Sequence, residues 1–170
     1  QGFERHTEFV FREKEGEDRV NVSLATLGMH NVIDAVSALA VAKEAGKDVT
    51  LAEKQLATYE PMASRGRLEQ VGELMLIDDT YNASPDSVRA ALTVLSGMNA
   101  RRRIAVLGDM LELGPRTGQL HHGVGEYAAK AGVDLVIGCG PLSKAIVDGA
   151  KAAGGAVLYY EDKAALIAAL

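Results

Sequence analysis

Hydrophobic and polar residues alternate at the start of the chain. Residues 7–12 and 19–25 each carry a hydrophobic side chain at every second position, which is the spacing of a strand with one buried face. The connector, residues 13–18, is charged and contains Gly16, as is typical of a hairpin loop. We therefore predict that the chain begins with a pair of strands.

Two helical patterns follow these strands. The first helix is predicted to begin after Gly28, to run for about four turns and to end at Gly46. The second is predicted to begin at Thr50, where Glu53 completes a capping box, and to end before Pro61. The predicted apolar stripe of the first helix consists of Val32, Ile33, Val36 and Leu39.

The spacing of the hydrophobic segments changes after a linker at residues 60–66. Apolar strand patterns then occur at residues 68–71, 74–78, 104–107, 133–137 and 157–160. Helical patterns occur at residues 85–96, 119–131, 141–153 and from 163 to the end. Alternating strands and helices predict an α/β domain with a Rossmann-like, mostly parallel sheet. We place the domain boundary between residues 1–63 and residues 64–170.

Polar residues are concentrated where the predicted strands of this second part end. Parallel strands with helical crossovers would bring the loops after Ile77, Leu107 and Ile137 to one edge of the sheet. After Ile77 the sequence runs through Asp78–Asn82 to Ser84, whose hydroxyl is a suitable N-cap for a helix that begins at Pro85. This edge is where open α/β sheets bind ligands, although the same residues could simply cap turns.

Composition and charge exclude several classes of function. The net charge is −5, and the one basic cluster, Arg101–Arg103, directly precedes a strand, so nucleic acid is not the expected partner. The single cysteine, Cys139, excludes an internal disulfide framework and suits a reducing compartment. No apolar run has the length of a membrane span, and the N-terminal residues are not a signal peptide. A cytoplasmic protein without membrane insertion is expected.

The common nucleotide and metal motifs are also missing. The Gly46-Lys47 pair is followed by Asp48 and lacks the first glycine of a phosphate-binding loop. Gly138-Cys139-Gly140 lacks the third glycine of a dinucleotide fingerprint and is explained as a tight turn. The histidines show no metal-ligand spacing, and His121-His122 at a helix start is more typical of solvated residues. No metal site is predicted in this sequence.

Polar groups at the ends of elements remain as candidates for function. Each of them has a purely structural alternative, such as a helix cap for Asn31, a strand-edge cation for Arg67 or an ordinary loop acid for Asp109 and Glu112. Their types and order along the chain are nevertheless distinctive. The motifs are Gly28-Met29-His30-Asn31 before an Ala-rich helix, Gly66-Arg67, Ile77–Ser87 (IDDTYNASPDS) and Ala105–Gly114 (AVLGDMLELG) followed by His121 and Val124-Gly125.

Taken together, these motifs resemble the Mur ligases over nearly the whole chain, from about residue 20 to the end. Within that family they are most similar to the enzymes that add the last dipeptide, D-alanyl-D-alanine, to the UDP-N-acetylmuramoyl-tripeptide in peptidoglycan precursor synthesis. Three departures from the family pattern are mild: Asp34 where Asn is usual, Thr80 where Ser is usual and Ser84 where Asn is frequent.

The resemblance implies a three-domain parent enzyme that uses ATP to form an amide through an acyl phosphate. Residues 1–63 would be the end of its central ATP-binding domain, and residues 64–170 most of its C-terminal Rossmann-like domain, truncated at its end. The phosphate-binding loop and the Mg²⁺ ligands would lie upstream of this segment. The parent is expected to be a monomer whose partners are its two small-molecule substrates.

The resemblance also implies roles for individual residues. Asn31 and Asp79 would hold the nucleoside of ATP. The guanidinium of Arg67 would contact the phosphates and act in catalysis, with Arg65 as the close competitor for that role. His30, Tyr81 and Asn82 belong to the same predicted ATP-binding set. Asp109, Glu112 and, as a weaker candidate, His121 would bind the incoming dipeptide, whose ammonium a loop carboxylate could orient.

Two other functions are compatible with the pattern. A ligase similar to folylpolyglutamate synthase would share the architecture, but the Asp78–Ser84 stretch differs from the shorter Asp-Gly-Ala-His-Asn-Pro type. A non-catalytic Rossmann-like binding module is the alternative from another class. The unfinished sheet counts against it, because natural domains protect their sheet edges.

Overall fold

A computed structural model describes residues 6–12 and 19–169 of the chain. It divides into two compact units, Gln1–Asp78 and Asp79–Leu170. The boundary predicted after residue 63 lies before the Arg67–Asp78 segment and stays a prediction. The predicted loop at residues 13–18 lies outside the described residues.

The first unit combines two strand pairs with two helices. Its elements are β1 (Thr7–Arg12), β2 (Arg19–Leu24), α1 (Met29–Glu44), α2 (Val49–Ala57), β3 (Arg67–Val71) and β4 (Leu74–Asp78). Strands β1 and β2 pair antiparallel, and the alternation predicted for β2 is confirmed because Val22 and Leu24 are both buried. In α1, Val32 and Leu39 are buried as predicted. The other two residues of the predicted stripe, Ile33 and Val36, are exposed.

Helix α2 differs from its predicted start. Its N-cap is Asp48, whose carboxylate accepts hydrogen bonds from the backbone N–H of Thr50 at 2.8 Å and from its hydroxyl at 2.6 Å. The predicted cap at Thr50 is therefore wrong, because Thr50 is already helical. The Thr50 hydroxyl, followed by the backbone N–H, lowers the pKa of the Asp48 carboxyl below its ordinary value.

The second unit is an α/β layer. Its elements are α3 (Pro85–Gly97), β5 (Ile104–Gly108), a 3₁₀ turn (Gly114–Arg116), α4 (Thr117–Lys130), β6 (Leu135–Cys139), α5 (Lys144–Ala152), β7 (Val157–Tyr160) and α6 (Lys163–Ala168). Strands β5, β6 and β7 form a parallel sheet in that order. The predicted α/β class with a parallel sheet is thus confirmed, as are the Ser84 cap and the helix start at Pro85.

Strand β4 does not belong to this parallel sheet. It pairs antiparallel with β3 in a sheet of its own, with Arg67 opposite Asp78. The prediction that the loop after Ile77 shares an edge with the loops after Leu107 and Ile137 is therefore wrong. The sequence did contain the signal, because only Gly72 and Glu73 separate the two strands and two residues cannot hold a helical crossover.

The core of the second unit lies between the sheet and helices α3, α4 and α5. Val124 and Ala128 of α4, Ile146 and Ala150 of α5 and Val136 of β6 are each at most 1% exposed. Helices α4 and α5 approach each other closely, since a Cβ atom at Gly125 would stand 1.8 Å from the Ile146 carbonyl oxygen. This packing leaves the loops after β5 and β6 side by side at the carboxyl edge of the sheet.

Candidate functional site

Asp109 joins the two loops at the carboxyl edge of the parallel sheet. It follows β5 directly, and its Oδ1 accepts a hydrogen bond of 2.7 Å from the backbone N–H of Ser143, the residue that precedes α5. Gly140 lies against the same carboxylate, and a Cβ atom there would stand 2.6 Å from Oδ1. Because Gly140 has φ 118°, two constraints favour glycine at this position. One oxygen of Asp109 is therefore engaged in structure.

His121 is completely buried, with 0% of its surface exposed. Its Nε2 accepts a 3.0 Å hydrogen bond from the backbone N–H of Met110, and its Nδ1 lies 2.8 Å from the Thr117 carbonyl oxygen. The interpretation of His121 as a solvated residue is thus wrong. The partner that explains its burial, Met110, lies eleven positions earlier in the chain and is brought to it by the fold.

Glu112 occupies the exposed tip of the same loop. Its φ of 61° lies in the left-handed region, which a non-glycine residue seldom adopts. The preceding Leu111 is 66% exposed, whereas Met110 is 1% exposed. The loop is therefore anchored at Met110 and presents Glu112 to solvent. Strained backbone of this kind is concentrated at functional sites, which makes Glu112 the better placed of the two acidic candidates.

Tyr159 and Lys144 also lie at this edge, although sequence reasoning did not select them. The Lys144 ammonium stands 5.5 Å from the centroid of the Tyr159 ring. Desolvation, followed by the charges of Glu161 and Asp109, raises the pKa of the Tyr159 phenol above its ordinary value. Tyr159 thus presents a neutral hydroxyl, and the dipeptide Tyr159-Tyr160 at a strand end was the available signal.

The first unit contains His30 and Asn31 at the start of α1. The Asn31 Nδ2 donates to the Leu27 carbonyl oxygen at 2.7 Å and lies 3.1 Å from Nε2 of His30, which is exposed. Asn31 lines a cleft of about 240 Å³ together with Asp34, Leu56 and Tyr59. This cleft is lined by an amide, a carboxylate and apolar and aromatic side chains, and its volume lies below the range of most small-molecule sites.

Arg67, the first residue of β3, is exposed. Its Nε lies 3.3 Å from Oε1 of Glu69, and the side chains are 52% and 42% exposed. An exposed ion pair of this kind contributes little to stability, so the guanidinium could exchange Glu69 for another anion at small cost. Opposite Arg67, Asp78 accepts a 3.1 Å hydrogen bond from the hydroxyl of Ser64, whose φ is 61°.

The remaining candidates, Asp79, Tyr81 and Asn82, lie just before α3 at the start of the second unit. Asp79 is half-buried, and Tyr81 is 66% exposed. The Asn82 Oδ1 accepts from the backbone N–H of Ala83 at 2.9 Å. Asn82 therefore has the local turn contact that the structural alternative predicts, and its amide nitrogen carries the remaining binding capacity.

Among residues 6–12 and 19–169, no three His, Cys, Asp or Glu side chains are grouped so that they could hold a metal ion. Within the same residues, no helix has the length and apolar character to cross a membrane.

Comparison with known proteins places the chain in a family. The family model for the Mur ligase, glutamate ligase domain matches residues 66–170. The UDP-N-acetylmuramoyl-tripeptide–D-alanyl-D-alanine ligase of Escherichia coli is 36% identical over 165 residues, which cover 96% of this chain and 35% of that enzyme. The ligase of the same name from Haemophilus influenzae is 38% identical over 141 residues, covering 81% of this chain and 30% of that enzyme.

Solved structures agree with this assignment. A crystal structure of MurF from Acinetobacter baumannii superimposes with a TM-score of 0.85 at 30% identity, covering 95% of this chain and 35% of that one. MurF from Thermotoga maritima in complex with ADP shares the fold, with a TM-score of 0.74 at 22% identity over 99% of this chain and 43% of that one. The chain thus spans about a third of the length of the curated relatives it matches. It belongs to the Mur ligase family.

Proposed function

We propose that this chain is the C-terminal portion of an ATP-dependent ligase that adds D-alanyl-D-alanine to the UDP-N-acetylmuramoyl-tripeptide. One observation carries the proposal. A pinned β5–α4 loop with a strained, exposed carboxylate lies at the ligand-binding edge of the sheet. This loop occurs in a chain whose relatives at 36% and 38% identity bear that enzyme's name.

The proposed reaction forms an amide in two steps. A carboxylate oxygen of the tripeptide attacks the γ-phosphorus of ATP and releases ADP, which leaves an acyl phosphate. The dipeptide amine then attacks the acyl carbon, loses a proton and expels inorganic phosphate. The second step requires a neutral amine at the carbonyl. A nearby carboxylate can attract and orient the incoming ammonium and can accept the proton that it loses before it attacks.

Glu112 is the residue that we propose for this task, with Asp109 beside it. Glu112 is exposed at the tip of the loop, and its carboxylate does not cap any helix that the structure describes. Asp109 has one oxygen on Ser143, so only its second oxygen could reach a ligand without loosening α5. His121 has no exposed surface, and its contribution to binding the dipeptide is therefore indirect.

We propose nucleotide-binding roles for residues of each unit. In the first unit, Asn31 would pair with the adenine edge, and His30 beside it would complete that contact. Arg67 would leave Glu69 and place its guanidinium on the phosphates, the contact for which a planar fork is suited. In the second unit, Asp79 would accept from the ribose hydroxyls, and Tyr81 and Asn82 belong to the same proposed nucleotide-binding set. The MurF of Thermotoga maritima, which shares the fold, was crystallised in complex with ADP.

The Mg²⁺ expected in this family does not fit the residues described. Because these residues contain no group of metal-ligating side chains, we propose that the ion is held by parts of the longer enzyme outside this segment.

The domain boundary after residue 63 is likewise a proposal, supported by a family match that begins at residue 66. A monomeric enzyme in the cytoplasm is proposed, in keeping with its nucleotide substrates.

The experiment compares acceptors in the complete ligase that carries this segment. Purified enzyme would be given ATP, the UDP-N-acetylmuramoyl-tripeptide and one of three acceptors: D-alanyl-D-alanine, L-alanyl-L-alanine or glutamate. We expect ADP to form with the D,D-dipeptide at a rate at least about tenfold above the other two. Equal rates with all three acceptors, or a preference for glutamate together with a folate substrate, would contradict the proposal.

A further inference from the structure

His121 is a buried titratable side chain with no direct place in the proposed reaction. Both of its ring nitrogens face backbone groups, Met110 N–H at 3.0 Å and the Thr117 carbonyl at 2.8 Å. A backbone N–H can only donate, so Nε2 must be without a proton. A carbonyl can only accept, so Nδ1 must carry one. The neutral Nδ1–H tautomer is therefore the one form of the ring that satisfies both contacts.

The hydrogen bond between Met110 and His121 anchors the β5–α4 loop to α4. Asp109 and Met110 are consecutive, yet Asp109 is bonded to the residue before α5 while Met110 is bonded to a side chain of α4. Met110 is itself 1% exposed, so its N–H has no access to bulk water if the histidine is lost. The loop then turns outward within two residues to Glu112, whose φ is 61°.

We propose that His121, held as the neutral Nδ1–H tautomer, is a positioning residue that sets the Asp109–Glu112 loop for the ammonium of the incoming dipeptide. The histidine does not touch the substrate. It acts through the Met110 N–H, which fixes where the strained turn begins. This inference rests on the proposed function of Glu112 as the anchor of that ammonium.

The chemistry of the side chain supplies two matched variants. In His121→Gln, the amide oxygen can reach the place of Nε2 and accept from Met110. In His121→Asn, the shorter amide can replace Nδ1 and donate to Thr117, but it leaves the Met110 N–H without an acceptor. His122 is the control position, because it is the adjacent histidine on α4, partly exposed, with Nδ1 3.6 Å from Glu126.

Nitrogen NMR of the unmodified 170-residue chain tests the tautomer without any substitution. We expect a protonated Nδ1, an unprotonated Nε2 and a scalar coupling across the hydrogen bond between the Met110 amide nitrogen and Nε2. A proton on Nε2, in the neutral or the charged ring, would overturn the proposal. This measurement does not depend on ligase activity.

Kinetics of the complete ligase test the positioning role. We expect His121→Asn to raise the KM for D-alanyl-D-alanine about fivefold or more while the KM for ATP changes less than about twofold. His121→Gln and His122→Asn should both stay within about twofold of the unmodified enzyme for either substrate. Thermal unfolding of each variant would show that the protein compared is folded.

The negative results separate the inference from the proposed function on which it rests. If Gln and Asn at position 121 have equal effects, or if both KM values rise together, His121 contributes only to general folding. If the unmodified ligase does not use the dipeptide at all, the proposed function of the site fails, whatever the tautomer of His121. An active ligase with an unaltered dipeptide KM in His121→Asn overturns the positioning role alone.

Discussion

At the scale of single residues, the two acids of the β5–α4 loop have different surroundings. Glu112 is exposed and strained, whereas Asp109 bridges to the residue that precedes α5. We expect Glu112→Gln in the complete ligase to raise the dipeptide KM about tenfold with little change in the KM for ATP, because the amide cannot attract the ammonium. Steady-state kinetics with each substrate varied in turn would measure this.

Glu126→Gln on α4 is the matched control for that substitution. Glu126 is also a partly exposed glutamate, but it pairs with His122 and Lys130 along its own helix. It should leave both KM values unchanged. A Glu112→Gln enzyme in which the KM for ATP rises as much as that for the dipeptide would indicate a general structural effect and would remove Glu112 from the amine site.

Substitution of Asp109 should lower the free energy of unfolding of the chain. Asp109→Ala removes the acceptor of the Ser143 N–H, which is completely buried, and should lower the free energy of unfolding by about 1–2 kcal/mol. Asp109→Asn keeps an oxygen acceptor at Oδ1 and should recover most of that loss. Chemical denaturation of the chain measures both variants, and equal destabilisation by Ala and Asn would argue against the hydrogen bond between Asp109 and Ser143.

At the scale of elements, the close packing of α4 on α5 depends on a glycine, Gly125, at the contact. A Cβ atom at Gly125 would lie 1.8 Å from the Ile146 carbonyl oxygen, while one at Gly118 on the same helix would meet nothing within 4 Å. Gly125→Ala should therefore destabilise the chain by about 1–3 kcal/mol, because the helices must move apart. Gly118→Ala is the control and should be neutral or slightly stabilising, since alanine favours helix. Similar effects of the two substitutions on denaturation would contradict this packing.

The cap of α2 predicts a dependence of stability on pH. The pKa of Asp48 is lowered from its ordinary value of 3.8 by the two hydrogen bonds of Thr50. Folding therefore favours the carboxylate, and the stabilisation is fully present above pH 3.8 and is lost as the pH falls through the lowered pKa. The difference in melting temperature between Asp48→Asn and the unmodified chain should therefore become smaller in acid. A difference that stays constant from neutral pH down to acid would contradict the cap.

Local chemistry explains which elements the sequence could predict. The start of α3 was predictable because Ser84 and Pro85 are adjacent and act on their own helix. At α2, Asp48 and Thr50 are both good N-cap residues two positions apart, and the capping-box pattern with Glu53 favoured Thr50, which is wrong. The β3–β4 hairpin was misread as part of the parallel sheet although its two-residue turn excluded a crossover.

The site was less predictable than the fold, for a physical reason. Asp109 and Glu112 stand out in the sequence because charged groups after a strand are visible there. The contacts that shape this loop are the hydrogen bond between Asp109 and Ser143, 34 positions apart, and the one between Met110 and His121, 11 positions apart. Such contacts depend on strand order and helix packing, and a single sequence does not contain them in readable form.

At the scale of the whole molecule, we propose that this chain supplies one part of a larger catalytic system. It covers 35% of the Escherichia coli relative, and its sequence contains no phosphate-binding loop. Its first unit contains a cleft beside Asn31 and the exposed guanidinium of Arg67. Its second unit contains the acidic β5–α4 loop, which is anchored at Met110. We propose that these features serve amide formation through an acyl phosphate.

Transfer of oxygen from the tripeptide to phosphate tests that claim most directly. The terminal carboxylate of the UDP-N-acetylmuramoyl-tripeptide would be labelled with ¹⁸O and given, with ATP and D-alanyl-D-alanine, to the complete ligase that carries this segment. We expect one labelled oxygen to appear in inorganic phosphate for each amide formed, because that oxygen bridges carbon and phosphorus in the acyl phosphate. Phosphate without label, or phosphate release that does not require the dipeptide, would contradict it.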